Sequence, residues 1–237
     1  MAHLIYYYFT YYLRSYRYFP PVATYLVFII IFYTYRPNPT IDSYTVTATG
    51  LYYIIAWLSL GFFAIEDSIQ HQLTLIHSKS YLQNYIAKIM TLFLIATGLT
   101  LFSFLYPIAF NLLDEPLTIK VGTLSLLHHL LVALLGIALA SFFQRDIVKS
   151  VITSIGGLTL VLVASHVYIA FTPFIPKQID FLFYLFPPAY KMVEVLMNWN
   201  GTTLELALFL PFFQSAIYIA FLFLFSYFLL KRKRSLL

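Results

Sequence analysis

Apolar runs alternate with short polar breaks along the whole chain, and the breaks mark where helices end. Residues 22–35, 50–65, 89–110, 121–143, 150–171 and 206–230 are apolar runs that cross or nearly cross a bilayer, which needs about 20 residues of helix. The first is short and draws on flanking aromatic residues. Residues 1–19, MAHLIYYYFTYYLRSYRYF, carry too many Tyr, and Arg14 and Arg17 too close together, to span; they predict a helix lying in the interface. Pro20-Pro21 then turns the chain into the first span. Polar connections are expected at 36–49, at 111–120 around Asp114-Glu115-Pro116, and at Gln144–Lys149. Residues 172–204 form a hydrophobic, re-entrant-like loop whose run 181–186 is too short to cross.

The longest polar break, 66–88, has internal order. Ile65, Ile69, Leu73 and Ile76 recur at i, i+4, i+8 and i+11, one apolar stripe of a helix, while Glu66, Asp67, Gln70 and His71 cover other faces. The acidic pair stands at the helix start and Lys79 past its end, as the helix dipole favours. Ser80 is placed to cap the helix that follows.

Composition makes the class definite. Hydrophobic residues are 61% and charged residues 10%, with a mean hydropathy of +0.83. Soluble domains carry roughly 25% charged residues, so this is an integral membrane protein without a sizeable soluble domain. The absence of cysteine excludes disulfides, thiolate metal sites and cysteine nucleophiles. The N-terminus lacks a basic n-region and a small-residue cleavage site.

The net charge of +5 orients the chain; it is not a sign of nucleic-acid binding. With six spans and the N-terminus inside, Arg14, Arg17, Lys79, Lys88, Arg145, Lys149, Lys231, Arg232, Lys233 and Arg234 fall on the cytoplasmic side. Arg36, Lys120, Lys177 and Lys191 fall outside. Ten against four sets both termini, the 66–80 helix and the basic tail 231–237 in the cytoplasm.

Catalytic constellations are missing. A rhomboid-like protease would need Ser154 in its Gly156-Gly157 turn to meet His166, but both lie on one predicted helix at different depths. No H-E-x-x-H and no Gly-rich phosphate loop occur, so the chain is not an enzyme by itself. His128, His129 and His166 sit at a similar depth in the outer half of spans four and five; they are candidates for a substrate path or a proton-sensitive cluster, or else imidazoles bonded to neighbouring helices. No acidic or thiolate co-ligand accompanies them, which disfavours a metal. Asn200-Gly201-Thr202 matches a glycosylation sequon, meaningful only in a eukaryote.

Three stretches carry a family resemblance. They are Glu66 with S-K-S-Y-L-Q-N-Y-I-A-K running into span three, L-G-I-A-L-A-S-F-F-Q-R-D ending at Asp146, and F-P-P-A-Y from Phe186 to Tyr190. With the order of parts, the chain resembles the six-span membrane subunit of a bacterial ABC exporter, of the type-2 permease group that exports drugs, antibiotics, peptides or polysaccharides. The resemblance implies an all-α fold with an N-terminal elbow helix, a coupling helix between spans two and three, and short helices in the outer loop. It implies a cytosolic ATPase partner that binds ATP and Mg2+, and a second permease copy or a related permease in the cell membrane. Glu66, Asp67, Ile69, Gln70, Leu73, Ile76 and His77 would meet the ATPase, with Arg145 and Asp146 a smaller contact. Phe186 and Tyr190 would join the three histidines along the substrate path. A proton-coupled secondary transporter and a non-transporting scaffold or immunity protein remain alternatives.

Overall fold

The structure, a computed structural model, describes residues 1–78, 80–171 and 186–234. The Lys79 expectation, the first part of the outer loop and the last residues of the basic tail lie outside the described residues. Among the described residues the chain is all helix: α1 (Ala2–Arg14), α2 (Phe19–Phe32), α3 (Thr40–Phe63), α4 (Ser68–His77), α5 (Tyr81–Ala109), α6 (Ile119–Ala140), α7 (Val151–Phe171), α8 (Ala189–Met197) and α9 (Leu206–Arg234).

Four helices, α3, α5, α6 and α9, are long and apolar enough to cross a membrane. A fifth span results if α1 and α2, bent by 80° at their junction, are taken together. The bend follows from Pro20-Pro21 in the first turn of α2, where prolines that cannot donate are tolerated, and from Tyr16 at φ 56 just before them. The sequence reading gave six spans. The 14 residues of α2 and the apolar stretch Val151–Val167 of α7 are each too short to count alone.

The second span was expected from residue 50 after a polar loop. Instead α3 begins at Thr40, because Asp114 reaches across from the α5–α6 turn to cap it. Its Oδ1 accepts from the Thr40 amide at 3.0 Å and the Thr40 hydroxyl at 2.9 Å. The polar residues of that first stretch point inward: Ser43, Thr45 and Thr47 are buried and their hydroxyls bond to backbone carbonyls. A lipid environment makes this arrangement favourable, since every polar group must find its partner within the protein.

Helix α3 is the axis of the bundle, packed on α2, α5, α6 and α8. Its tightest partner is α6. A side chain at Gly136 would stand 2.9 Å from the Tyr52 carbonyl and 3.3 Å from the Ala56 amide, so only glycine permits this approach. In contrast, α5 and α9 turn large apolar side chains outward, among them Leu94, Leu101, Leu105, Phe221 and Leu224.

The two ends of the bundle differ in charge. Arg17 donates to the Ala64 carbonyl at 2.7 Å, Lys88 meets Glu66, and Lys233 donates to the Ile147 carbonyl at 3.1 Å, which gathers the basic segments at one end. At the other end Lys120 donates to the Thr202 carbonyl at 2.9 Å.

Candidate functional site

The end of α3, helix α4 and the start of α5 meet α1 around one carboxylate. Asp67 caps α4 by accepting from the Gln70 amide at 2.8 Å, and Ser80 caps α5 by accepting from the Gln83 amide at 3.1 Å. These caps fix the turn on either side of α4 and leave Glu66 at the hinge between α3 and α4. Its side chain is only 2% exposed.

Glu66 is fully occupied. Lys88 Nζ lies 2.9 Å from Oε2 and His71 Nδ1 3.1 Å from the same oxygen. Oε1 accepts from the Thr74 hydroxyl at 2.9 Å and from the Tyr7 hydroxyl at 3.3 Å. Tyr8, which approaches Oε2 at 3.5 Å, receives a hydrogen bond from the Asn84 amide at 2.7 Å, and its ring lies 5.3 Å below Lys88 Nζ. Burial alone would raise the Glu66 carboxyl, but the His71 hydrogen bond, the Lys88 ammonium and the Thr74 hydroxyl outweigh it and hold it down at about 2.

The same node holds α4 against α1. Tyr11 donates to Gln70 Oε1 at 2.7 Å, and Gln70 Nε2 donates to the Tyr7 hydroxyl at 3.0 Å. Tyr12, fully buried, donates to the Leu58 carbonyl at 3.0 Å and seats α1 on α3. His71 Nε2 is 4.0 Å from Asp146 on the α6–α7 connector, across a narrow crevice lined by Phe63, Asn84, Lys88 and Gln144.

With its polar face held inward, α4 presents its apolar face to the outside. Ile69 is 71% exposed, Leu73 53% and Ile76 76%, while Asp67 and His77 flank them, also exposed. Of the residues predicted to meet a partner, Ile69, Leu73, Ile76, Asp67 and His77 are on the surface. Gln70 is tied to α1, and the Glu66 carboxylate is inside. Arg145 is exposed on the connector and Asp146 is half-exposed beside His71.

The histidines point into the bundle on separate partners. His129 bonds to the Ser125 carbonyl at 2.7 Å and to the Thr47 hydroxyl at 3.1 Å. His166 lies beside Tyr52 and Tyr53, with its Nδ1 3.1 Å from the Tyr53 hydroxyl. His128 is fully buried near Phe212, and among the described residues neither of its ring nitrogens has a partner. No group of three potential metal ligands occurs among the described residues. Helix α8 buries Ala189, Met192 and Leu196 against α3 and α9, leaving Tyr190 half-buried and Phe186 exposed at its approach.

The sequence alone does not reveal the hydroxyl partners of Glu66, Tyr7, Tyr8 and Thr74, nor the amides of Gln70 and Asn84 that hold those tyrosines. Their signal was present as pairs one helical turn apart, Tyr7 with Tyr11, Gln70 with Thr74, and Asn84 with Lys88. No protein-family model, no curated protein and no solved structure matches this chain.

Proposed function

We propose that the chain is the membrane permease subunit of a bacterial ATP-driven exporter of the type-2 ABC group, in which α4 docks on a cytosolic ATPase. The observation that carries this reading is the inverted amphipathicity of α4: its polar face is locked to Glu66, Tyr7 and Tyr11, and its apolar stripe is left open. Three uncovered Ile and Leu side chains beside a hinge between two long helices suit a groove on a moving partner. The charge asymmetry of the two ends supports a cytoplasmic location for α4 and for both termini, in the cell membrane.

In this reading α2, α3, α5, α6, α7 and α9 are the six spans, α1 is the interfacial elbow and α8 caps the outer mouth. The ATPase binds ATP and Mg2+, and its closure pushes on α4. The push reaches the bundle through the Glu66 node, which joins α4 to α1 and α5. Two permease subunits, this chain twice or with a related one, would move against each other. The substrate class is an amphipathic peptide, antibiotic, drug or lipid-like molecule passing Phe186, Tyr190 and the histidines.

His128, fully buried and without a partner among the described residues, favours a second reading, a proton-coupled transporter. Inside-out vesicles separate the two. Uptake driven by ATP and insensitive to a protonophore supports the exporter; uptake abolished by a protonophore without need of ATP supports the second reading.

A further inference from the structure

Two basic segments 86 residues apart in sequence meet at one edge of the bundle. Lys233, near the end of α9, donates to the Ile147 carbonyl at 3.1 Å, and Phe142 and Phe225 pack with ring centroids 5.7 Å apart just inside that contact. The α6–α7 connector contributes Arg145 and Lys149, both exposed, and α9 contributes Lys231 and Lys233, also exposed. The one acid on this connector is Asp146, which faces back toward His71.

The surface leading up to this edge is apolar and continuous. Phe221, Leu224, Phe225 and Phe228 are each 46% to 60% exposed and follow one another at i, i+3, i+4 and i+7. The next positions of the same helix face are Lys231 and Arg232. From Phe221 to Lys231 the helix rises about 15 Å, at roughly 1.5 Å per residue, which is half the hydrocarbon core of a bilayer. One side of α9 therefore offers a leaflet's depth of apolar contact that ends on cations.

We infer that this edge binds the headgroup of an anionic phospholipid. The phosphate lies among Arg145, Lys149 and Lys231, with Lys233, on the inner face of α9, tying the connector to the helix through Ile147, and an acyl chain runs along Phe228, Leu224 and Phe221. A lipid seated there bridges the connector to α9, at the end of the bundle that also holds the Glu66 node. The inference does not depend on the exporter reading.

The test uses the full chain in a neutral detergent, titrated with phosphatidylglycerol, phosphatidylcholine or inorganic phosphate, with retained molecules counted by native mass spectrometry. Each Lys or Arg near an anionic surface contributes roughly fivefold to binding. The double variant R145Q/K149Q should therefore weaken phosphatidylglycerol retention by about 25-fold and K231Q by about fivefold, while R36Q/K120Q, which removes the same charge as the double variant at the other end, leaves it unchanged. The conservative variant K231R should retain phosphatidylglycerol as the wild type does, which guards against a folding defect. Equal retention of phosphatidylcholine would mean apolar annular binding, equal retention of phosphate a free-anion site, and equal loss in R36Q/K120Q a net-charge effect; each of these outcomes overturns the inference.

Discussion

Replacing Glu66 by Gln keeps the shape of the side chain and removes the charge that Lys88, His71 and Thr74 converge on. The carboxyl is held at about 2 against an ordinary value of 4.5. That difference is worth about 2 to 3 kcal/mol of folded-state stability, allowing for partial screening. The group is depressed in the folded protein, so its contribution is complete above pH 4.5 and fades as pH falls toward 2. For a chain of this size about 2 to 4 °C accompanies each kcal/mol. Glu66→Gln should therefore lower the apparent Tm at pH 7 by roughly 5 to 10 °C, read from the fluorescence of Trp57 and Trp199 in detergent. The gap between wild type and variant should shrink by about half at pH 3. A gap that is absent at pH 7, or one that stays constant from pH 7 to pH 3, would refute the assignment of Glu66 as the charged centre of the node. The paired replacement Glu66→Leu with Lys88→Met should cost less than the sum of the single changes, because neither buried charge is then left alone.

Other parts of the fold give further tests. Gly136→Ala should lower stability by about 1 to 3 kcal/mol by forcing α6 off the α3 backbone, whereas Gly98→Ala, with nothing within 4 Å, should be neutral or slightly stabilising; thermal unfolding of the pair checks this. Asp114→Ala should cost about 1 kcal/mol and speed amide exchange at the start of α3, where Thr40 loses its cap. Tyr12→Phe removes the hydrogen bond to Leu58 and should cost about 1 kcal/mol, with faster proteolysis of α1 as the readout.

The sequence pattern located α4, its Asp67 start and the Ser80 cap of α5 because each is written in local spacing. It placed the start of α3 ten residues late, since the cap comes from Asp114, 74 residues away, and since buried threonines look like loop residues when their partners are unknown. The same cause hid the node. With the span expected only from residue 89, Lys88 counts as a cytoplasmic charge; in the structure it lies two turns inside α5, buried and facing Glu66. Glu66 therefore reads as surface in the sequence and lies within the protein. The apolar stripe of α4 was legible, but which way it faces depends on α1, whose tyrosines hold the opposite face.

We propose that the open face of α4 is where an ATPase couples to this chain. The direct measurement is capture of the ATPase by tagged protein in the native membrane, with wild type compared to I69S/L73S/I76S and each shown folded by its Tm. Wild type should retain a chain that hydrolyses ATP. The triple variant, which leaves Glu66 and its partners untouched, should lose that chain by about tenfold or more, the scale of an interface hot spot. Equal retention by the variant, or no ATP-hydrolysing partner with the wild type, would contradict it.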